Sequence, residues 1–91
     1  MGTSPPAILP DADNAVAHFN LGTLNSGRKN YPLALQDFDA ALEGNPMDAL
    51  AMFDRALVKL RMGDKMGADR DFDSAIALDP RCEERRARIV Q

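Results

Sequence analysis

The feature that most constrains this chain is a motif that occurs twice, at a spacing of 34 residues. Residues 34–46 read ALQDFDAALEGNP, and residues 68–80 read ADRDFDSAIALDP. The preceding stretches also correspond at this spacing, since Phe19 matches Phe53. Agreement at one spacing over a whole unit predicts an array of stacked helical repeats.

Turn-forming residues divide the chain into predicted helices. Pro32 suits the first turn of a helix, where its missing N–H does no harm, and Gly44 suits a helix end. The final segment has acidic residues first and basic residues last, which complements a helix dipole. Residues 1–12, which are rich in proline, are predicted to be a flexible arm. The predicted helices cover about residues 13–26, 32–44, 48–62, 65–78 and 83–91.

Composition supports one small all-α domain and argues against several kinds of partner. Hydrophobic residues make up 45% of the chain and aromatic residues only 5%, a mixture that favours helix over strand. The net charge of -3, without a long block of like charge, argues against nucleic acid. No apolar run approaches the roughly 18 residues that a membrane span requires. Cys82 is the only cysteine, which favours a reducing compartment such as the cytoplasm.

The repeat resembles that of the tetratricopeptide repeat (TPR) family, whose unit is a helix–turn–helix of about 34 residues. The resemblance implies an all-α superhelix, or solenoid, with unit one at residues 15–48, unit two at 49–82 and a capping helix at 83–91. The positions that match the family pattern are Leu21, Gly22, Tyr31, Ala34, Phe38, Ala41 and Pro46 in unit one, and Ala56, Gly63, Ala68, Phe72, Ala75 and Pro80 in unit two.

Some residues depart from the family pattern. His18 and Met52 lie where a large apolar residue is usual, and Asn25 and Lys59 lie where tyrosine is common. Arg55 replaces a leucine. These departures are expected to weaken the contacts within each unit, while the small residues still allow close helix packing.

The first and third helices are apolar on two sides, and each side needs burial. Helical periodicity puts Ala17, Leu21 and Leu24 on one side of the first helix, where they are expected to pack within the array. The second side is interpreted as a groove, since the first helices of stacked hairpins line the concave surface, where TPR proteins bind peptides. The predicted groove residues are Val16, Phe19, Asn20, Thr23, Leu50, Phe53, Asp54, Leu57, Leu60 and Arg61.

Three interpretations of this second side remain open. The groove binds a peptide or helix of another protein, with Phe19, Phe53 and Leu57 carrying most of the energy. Alternatively, a second copy of the chain fills it and forms a homodimer, since two units are fewer than the three that usually bury a continuous core. Finally, the apolar stripe formed by these side chains on the first and third helices is part of the hydrophobic core, and the fifth helix covers some of it.

The resemblance also raises a narrower activity, which the residues do not support. One TPR subclass grips the C-terminal carboxylate of heat-shock chaperones with lysine and asparagine side chains. The equivalent positions here are Phe19, Thr23 and Asp54, which lack the needed donors. The chain is not expected to have that specificity.

Catalytic and metal-binding interpretations are also unfavourable. His18 is the only histidine and is expected to pack inside its unit. Asp69, Asp71 and Asp73 have the spacing that starts a calcium loop, but they lie in a predicted helix and are expected to form a solvated acidic face. Cys82 is expected to be a bystander thiol, although nearby arginines would lower its pKa if it were exposed. We therefore expect no enzyme activity, cofactor or metal.

Overall fold

A computed structural model describes residues 12–89, which form five α-helices and confirm the all-α prediction. Their bounds lie close to those predicted, although the last helix begins two residues before residue 83. Most of the predicted arm, residues 1–11, lies outside the described part of the chain. The helices are α1 (Ala12–Gly27), α2 (Tyr31–Gly44), α3 (Ala49–Arg61), α4 (Lys65–Leu78) and α5 (Arg81–Ile89).

The helices form two hairpins in series, α1 with α2 and α3 with α4, and the hairpins meet where α2 packs against α3. Helix α5 packs mainly against α4.

Aspartate side chains cap the N-termini of both helices of the second hairpin. The side chain of Asp48 accepts hydrogen bonds from the amides of Leu50 and Ala51, at 3.1 and 3.2 Å, and so caps α3. Asp64 caps α4 by accepting from the amide of Gly67 at 3.0 Å.

The same aromatic contact occurs in both hairpins. The rings of Phe19 and Phe38 meet edge to face with centroids 5.8 Å apart, and those of Phe53 and Phe72 do so at 5.1 Å. Gly22 makes room for the first pair, because a Cβ added there would lie 2.8 Å from the ring of Phe38. The contact between aromatic rings therefore recurs at the same 34-residue spacing as the sequence motif. The close approach of the helices expected at Gly22 is confirmed.

Two of the departures from the family pattern make polar contacts instead of leaving gaps. Asn25 of α1 donates to Asp37 of α2 at 2.7 Å. Lys59 of α3, at the equivalent position, lies 3.0 Å from the carboxylate of Asp71 on α4. Asn25 and Lys59 therefore each connect the two helices of a hairpin, and whether these contacts are weaker than those of a tyrosine stays a prediction.

Arg55 likewise links helices rather than loosening them. Its Nε and Nη2 donate to Asp71 of α4, and its Nη1 donates to Asp39 of α2, all at 2.8 Å. Burial would raise the pKa of Asp71, but the hydrogen bonds from Arg55 and Lys59 outweigh it and hold that pKa below its ordinary value. Three helices thus meet at one guanidinium group.

The prediction that one side of α1 packs within the array is wrong. Ala17 is exposed, and Leu21 and Leu24 keep 46% and 51% of their surface exposed. Val58, which corresponds to Leu24 in unit two, is fully buried. The difference arises because α2 covers that side of α3, whereas none of the helices within residues 12–89 covers this side of α1.

The turn between α1 and α2 contains a residue in an unfavourable backbone conformation. Lys29 has φ 63°, whereas the corresponding position in unit two is Gly63, with φ 91°. A side chain in the left-handed region costs about 1 kcal/mol, and glycine avoids this cost. We expect Lys29→Gly to raise the free energy of unfolding by about 0.5–1 kcal/mol, measured by urea unfolding followed by circular dichroism.

The matched control for that substitution is Arg28→Gly. Arg28 lies in the same turn without a positive φ, so glycine there only adds freedom to the unfolded chain and should lower stability. An equal effect of the two substitutions would contradict the assigned strain at Lys29.

The ion pairs of Asp71 generate a second prediction. Asp71→Asn leaves Arg55 and Lys59 without their shared carboxylate, so we expect a loss of about 2–3 kcal/mol at pH 7 in urea unfolding. The pKa of Asp71 is lowered in the folded protein, so its stabilisation is present above the ordinary value of 3.8 and is lost only as the pH falls through the lower folded value.

Asp73→Asn is the control for Asp71→Asn, because Asp73 forms an exposed ion pair with Arg86 at 3.2 Å. We expect that control to lose less than about 1 kcal/mol. A loss at Asp71→Asn no larger than at Asp73→Asn would show that the buried contacts of Asp71 have little effect on stability.

Candidate functional site

The structure places Phe53 in the core and not on an open surface. Its side chain is only 3% exposed and belongs to a buried cluster with Phe72 of α4 and Cys82 of α5. The expectation that Phe53 lines an accessible groove and carries much of a partner's binding energy is therefore wrong. The alternative that part of the stripe is core holds at this residue, because α5 contributes to the cluster that encloses it.

The other apolar groove residues are divided between the core margin and the surface. Leu57 and Leu60 are half-buried against the Phe53 cluster, and Phe19 is half-buried against Phe38. Val16 and Leu50, which correspond at the 34-residue spacing, are 58% and 39% exposed. Asn20 lies beside Val16 on the exposed part of α1.

A surface cavity of about 490 Å³ lies between α1, the turn after it, α2 and α3. Four predicted groove residues line it, and the others do not. They are Thr23, Asp54, Leu57 and Arg61. The remaining lining residues, which were not predicted as site residues, are Ser26, Gly27, Lys29, Tyr31 and Phe38.

The missed lining residues come from parts of the chain that a search of the first and third helices does not include. Ser26 to Lys29 lie at the end of α1 and in its turn, and Tyr31 and Phe38 lie on α2. The turn residues carry one usable signal, because Lys29 and Tyr31 put a cation and the chain's only phenol next to a predicted helix start.

The cavity combines an apolar floor with polar groups of both kinds. Phe38 and Leu57 provide apolar surface, while Lys29 and Arg61 bring positive charges and Tyr31 brings a hydroxyl. The hydroxyl of Thr23 donates to the carbonyl of Phe19 on its own helix at 3.1 Å. Such a lining is suited to hold a segment that has both apolar side chains and hydrogen-bonding groups.

Asp54 is the carboxylate of this cavity, and its environment disfavours its charge. Burial raises its pKa from the ordinary 3.8 to about 6, against the opposing charge of Arg85 and with a further contribution from Asp48. A perturbed carboxyl group in a concave site is a common property of functional residues. Near pH 6, Asp54 changes between a hydrogen-bond donor and a charged acceptor.

His18 lies on the side of α1 that faces α2, as expected for a packing histidine. Its Nδ1 is 3.8 Å from a carboxylate oxygen of Asp37. His18 is not among the residues that line the cavity.

The acidic residues of α4 form the expected solvated face only in part, since Asp73 is exposed and Asp71 is not. Asp71 is buried and paired with Arg55 and Lys59. Asp69 and Asp73 both bind Arg86 of α5, at 3.0 and 3.2 Å. These carboxylates therefore connect α4 to α3 and to α5.

Cys82 lies in α5 and is buried against α3 and α4, and burial raises the pKa of its thiol. Asp79 adds to this effect, and Arg85 and Arg81 oppose it without reversing it. A buried thiol with a raised pKa is a poor nucleophile.

Within residues 12–89, none of the helices is long and apolar enough to cross a membrane.

Comparison with known proteins gives a match to part of a much longer protein. The chain matches no family model. It is similar to the cellulose synthase 1 operon protein C of Komagataeibacter xylinus, with 37% identity over 81 residues, and to the cellulose synthase operon protein C of Komagataeibacter sucrofermentans, with 36% identity over 81 residues. The match covers 89% of this chain and 6% of each relative. This chain is therefore related to one short segment of those proteins.

The cavity leads to a prediction about pH. Asp54→Asn replaces a carboxylate whose burial is unfavourable, so we expect the variant to be more stable than the wild type by about 1–2 kcal/mol at pH 7.5. The wild-type cost is relieved as the pH falls below about 6 towards 3.8, because Asp54 then becomes neutral. The difference should shrink towards zero near pH 4, measured by urea unfolding across this range.

The control is Glu43→Gln, which removes one negative charge from an exposed position on α2. We expect this substitution to change stability by less than about 0.5 kcal/mol at either pH. A stability difference at Asp54→Asn that is the same at pH 7.5 and pH 4 would contradict the assigned burial cost.

Proposed function

We propose that this chain is a non-catalytic protein–protein interaction module of the tetratricopeptide repeat type. In this proposal, the cavity that contains Asp54 holds an extended segment or a helix of a partner protein. Two hairpins in series, with the same contacts at a 34-residue spacing, support the family assignment. The similarity to a segment of cellulose synthase operon proteins makes the products of such an operon the first candidates for the partner.

The lining of the cavity is the observation that carries this proposal. Burial raises the pKa of the Asp54 carboxyl group in this concave site, and perturbed carboxyl groups in clefts are candidates for functional residues. A lysine, arginine or amide group of the partner would satisfy Asp54, while an apolar neighbour would cover Leu57. Phe53 then supports Leu57 from the core and does not contact the partner.

Self-association through the same side of the molecule is the second candidate. Val16 and Leu50 are large apolar residues at equivalent positions of α1 and α3, and both are exposed. Two copies that face each other here would cover both pairs of side chains. In this case the chain acts as a scaffold that joins two identical molecules.

The peptide-binding proposal is tested by selecting ligands for the 91-residue chain from a random peptide library. We expect the selected peptides to place a basic or amide residue next to an apolar residue, with affinities measured by fluorescence anisotropy. Thr23→Arg and Arg61→Glu should each weaken binding about tenfold, or about 1.4 kcal/mol, because both change the exposed rim of the cavity.

Arg70→Glu is the matched control, since Arg70 is exposed on α4 and does not line the cavity. Binding that responds equally to Arg70→Glu and Arg61→Glu, or a library that yields no specific peptide, would contradict the proposal. Light scattering tests the second candidate, which predicts a dimer that Val16→Asp or Leu50→Asp converts to a monomer.

A further inference from the structure

The cavity that contains Asp54 has charges of opposite sign at its two ends. Asp54 and Arg61 both line it from α3 and are seven residues apart. Seven residues make about two turns of an α-helix, so the two side chains lie on the same side of α3, with Cα atoms about 10 Å apart. Leu57 lines the cavity between them. Along α3, the lining is therefore acidic, then apolar, then basic.

The turn after α1 adds a second cation at the basic end. Gly27, at the end of α1, corresponds to Arg61 at the 34-residue spacing, and both line the cavity. Thr23 and Leu57 are equivalent in the same way and also line it, so α1 and α3 pass the cavity side by side. Lys29 follows Gly27 by two residues and lines the same cavity. It therefore lies at the end of Arg61, away from Asp54.

These three charges have no ion-pair partner among the side chains that the structure describes. The ion pairs in that part of the chain include none of Asp54, Lys29 and Arg61. A separation of about 10 Å is close to the distance over which physiological salt screens charges, so the two ends of the cavity do not neutralise each other. Burial also raises the pKa of Asp54 to about 6, so a positive ligand group would relieve an unfavourable charge.

We propose that the cavity binds a dipolar segment of a partner protein, with a lysine or arginine of the segment at Asp54 and an aspartate or glutamate at Lys29 and Arg61. This inference rests on the proposed function and adds the acidic group of the ligand and the distance between its charges. The electrostatic complementarity is between two separated charges and not between a single charge and the cavity.

The distance between the two ends indicates the spacing of charges in the ligand. Adjacent residues of a peptide have Cα atoms only about 3.8 Å apart, which is too short to match both ends. In a segment with polyproline II geometry, residues three positions apart lie on the same side of the chain and about 9 Å from each other. We therefore expect a basic and an acidic residue three positions apart, with an apolar residue between them to cover Leu57.

The peptides selected from the random library provide the first test. We expect them to carry an acidic residue three positions from the basic one, in addition to the basic and apolar pair of the proposed function. One such peptide is then synthesised with both termini blocked, so that no terminal charge contributes. A second peptide of the same composition has the two charged residues adjacent, and we expect it to bind the 91-residue chain at least about threefold more weakly in fluorescence anisotropy.

A double-mutant cycle assigns each charge of the peptide to one end of the cavity. At pH 7.5, replacing the basic residue by glutamine should weaken binding about tenfold, and replacing the acidic residue by glutamine about threefold, since Lys29 and Arg61 are exposed. Asp54→Asn should abolish the first effect and leave the second. Arg61→Gln combined with Lys29→Gly should abolish the second effect and leave the first.

Lys29→Gly by itself separates ligand binding from folding. This substitution is expected to stabilise the protein, because of the positive φ at Lys29, and yet to weaken binding of the peptide that carries the acidic residue. The control is Arg28→Gly in the same turn. Arg28 does not line the cavity, so this control should lower stability and leave the affinity unchanged.

The outcomes distinguish this inference from the proposed function. Selected peptides without an acidic residue at that spacing would overturn the inference and leave the proposed function standing. The same holds for a cycle in which Asp54→Asn alters the effects of both peptide charges equally. A library that yields no specific peptide would overturn both proposals. Light scattering without peptide tests a second copy as the occupant, since a dimer that Asp54→Asn or Arg61→Gln converts to a monomer would also overturn the inference.

Discussion

Arg55 connects both hairpins, because one guanidinium group reaches carboxylates on the helices before and after its own. Its bonds to Asp39 and Asp71 are all 2.8 Å long. Charges that leave water for a partly buried site add little net stability when they pair. However, any arrangement of the helices that leaves one of these partly buried charges without its partner is destabilised. The position of α3 between α2 and α4 is thus specified by charge as well as by the fit of Val58 against α2.

The array is readable from the sequence because its determinants are local or periodic. Asp48 caps α3 through amides two and three residues away, and the phenylalanine pairs recur at a constant spacing. Two features of the structure depend on residues that are distant in sequence. Periodicity identifies an apolar side of α1 but not whether a helix covers it, so Leu21 and Leu24 were expected inside. The pairing of Asp71 depends on residues of α3 that are distant in sequence.

The candidate site is only partly predictable for the same reason. Thr23, Asp54, Leu57 and Arg61 were found because they lie on the helices that a stacked array exposes on its concave side. The sequence identifies Tyr31 only as a position of the family pattern, since its place in a cavity depends on how a turn folds back. Phe53 was misplaced because an apolar stripe has the same pattern whether it faces a partner or Cys82 of α5.

The outer side of α5 differs in polarity from the outer side of α1. Glu83, Glu84 and Arg88 are exposed on α5. Within residues 12–89, the solvent-exposed surface of α5 is therefore charged, whereas α1 exposes leucine side chains. In a larger assembly made by adding hairpins, growth on the α5 side would require stripping water from a row of charges. A neighbouring hairpin would therefore cover the leucines of α1 at a lower cost in hydration than the charged side of α5.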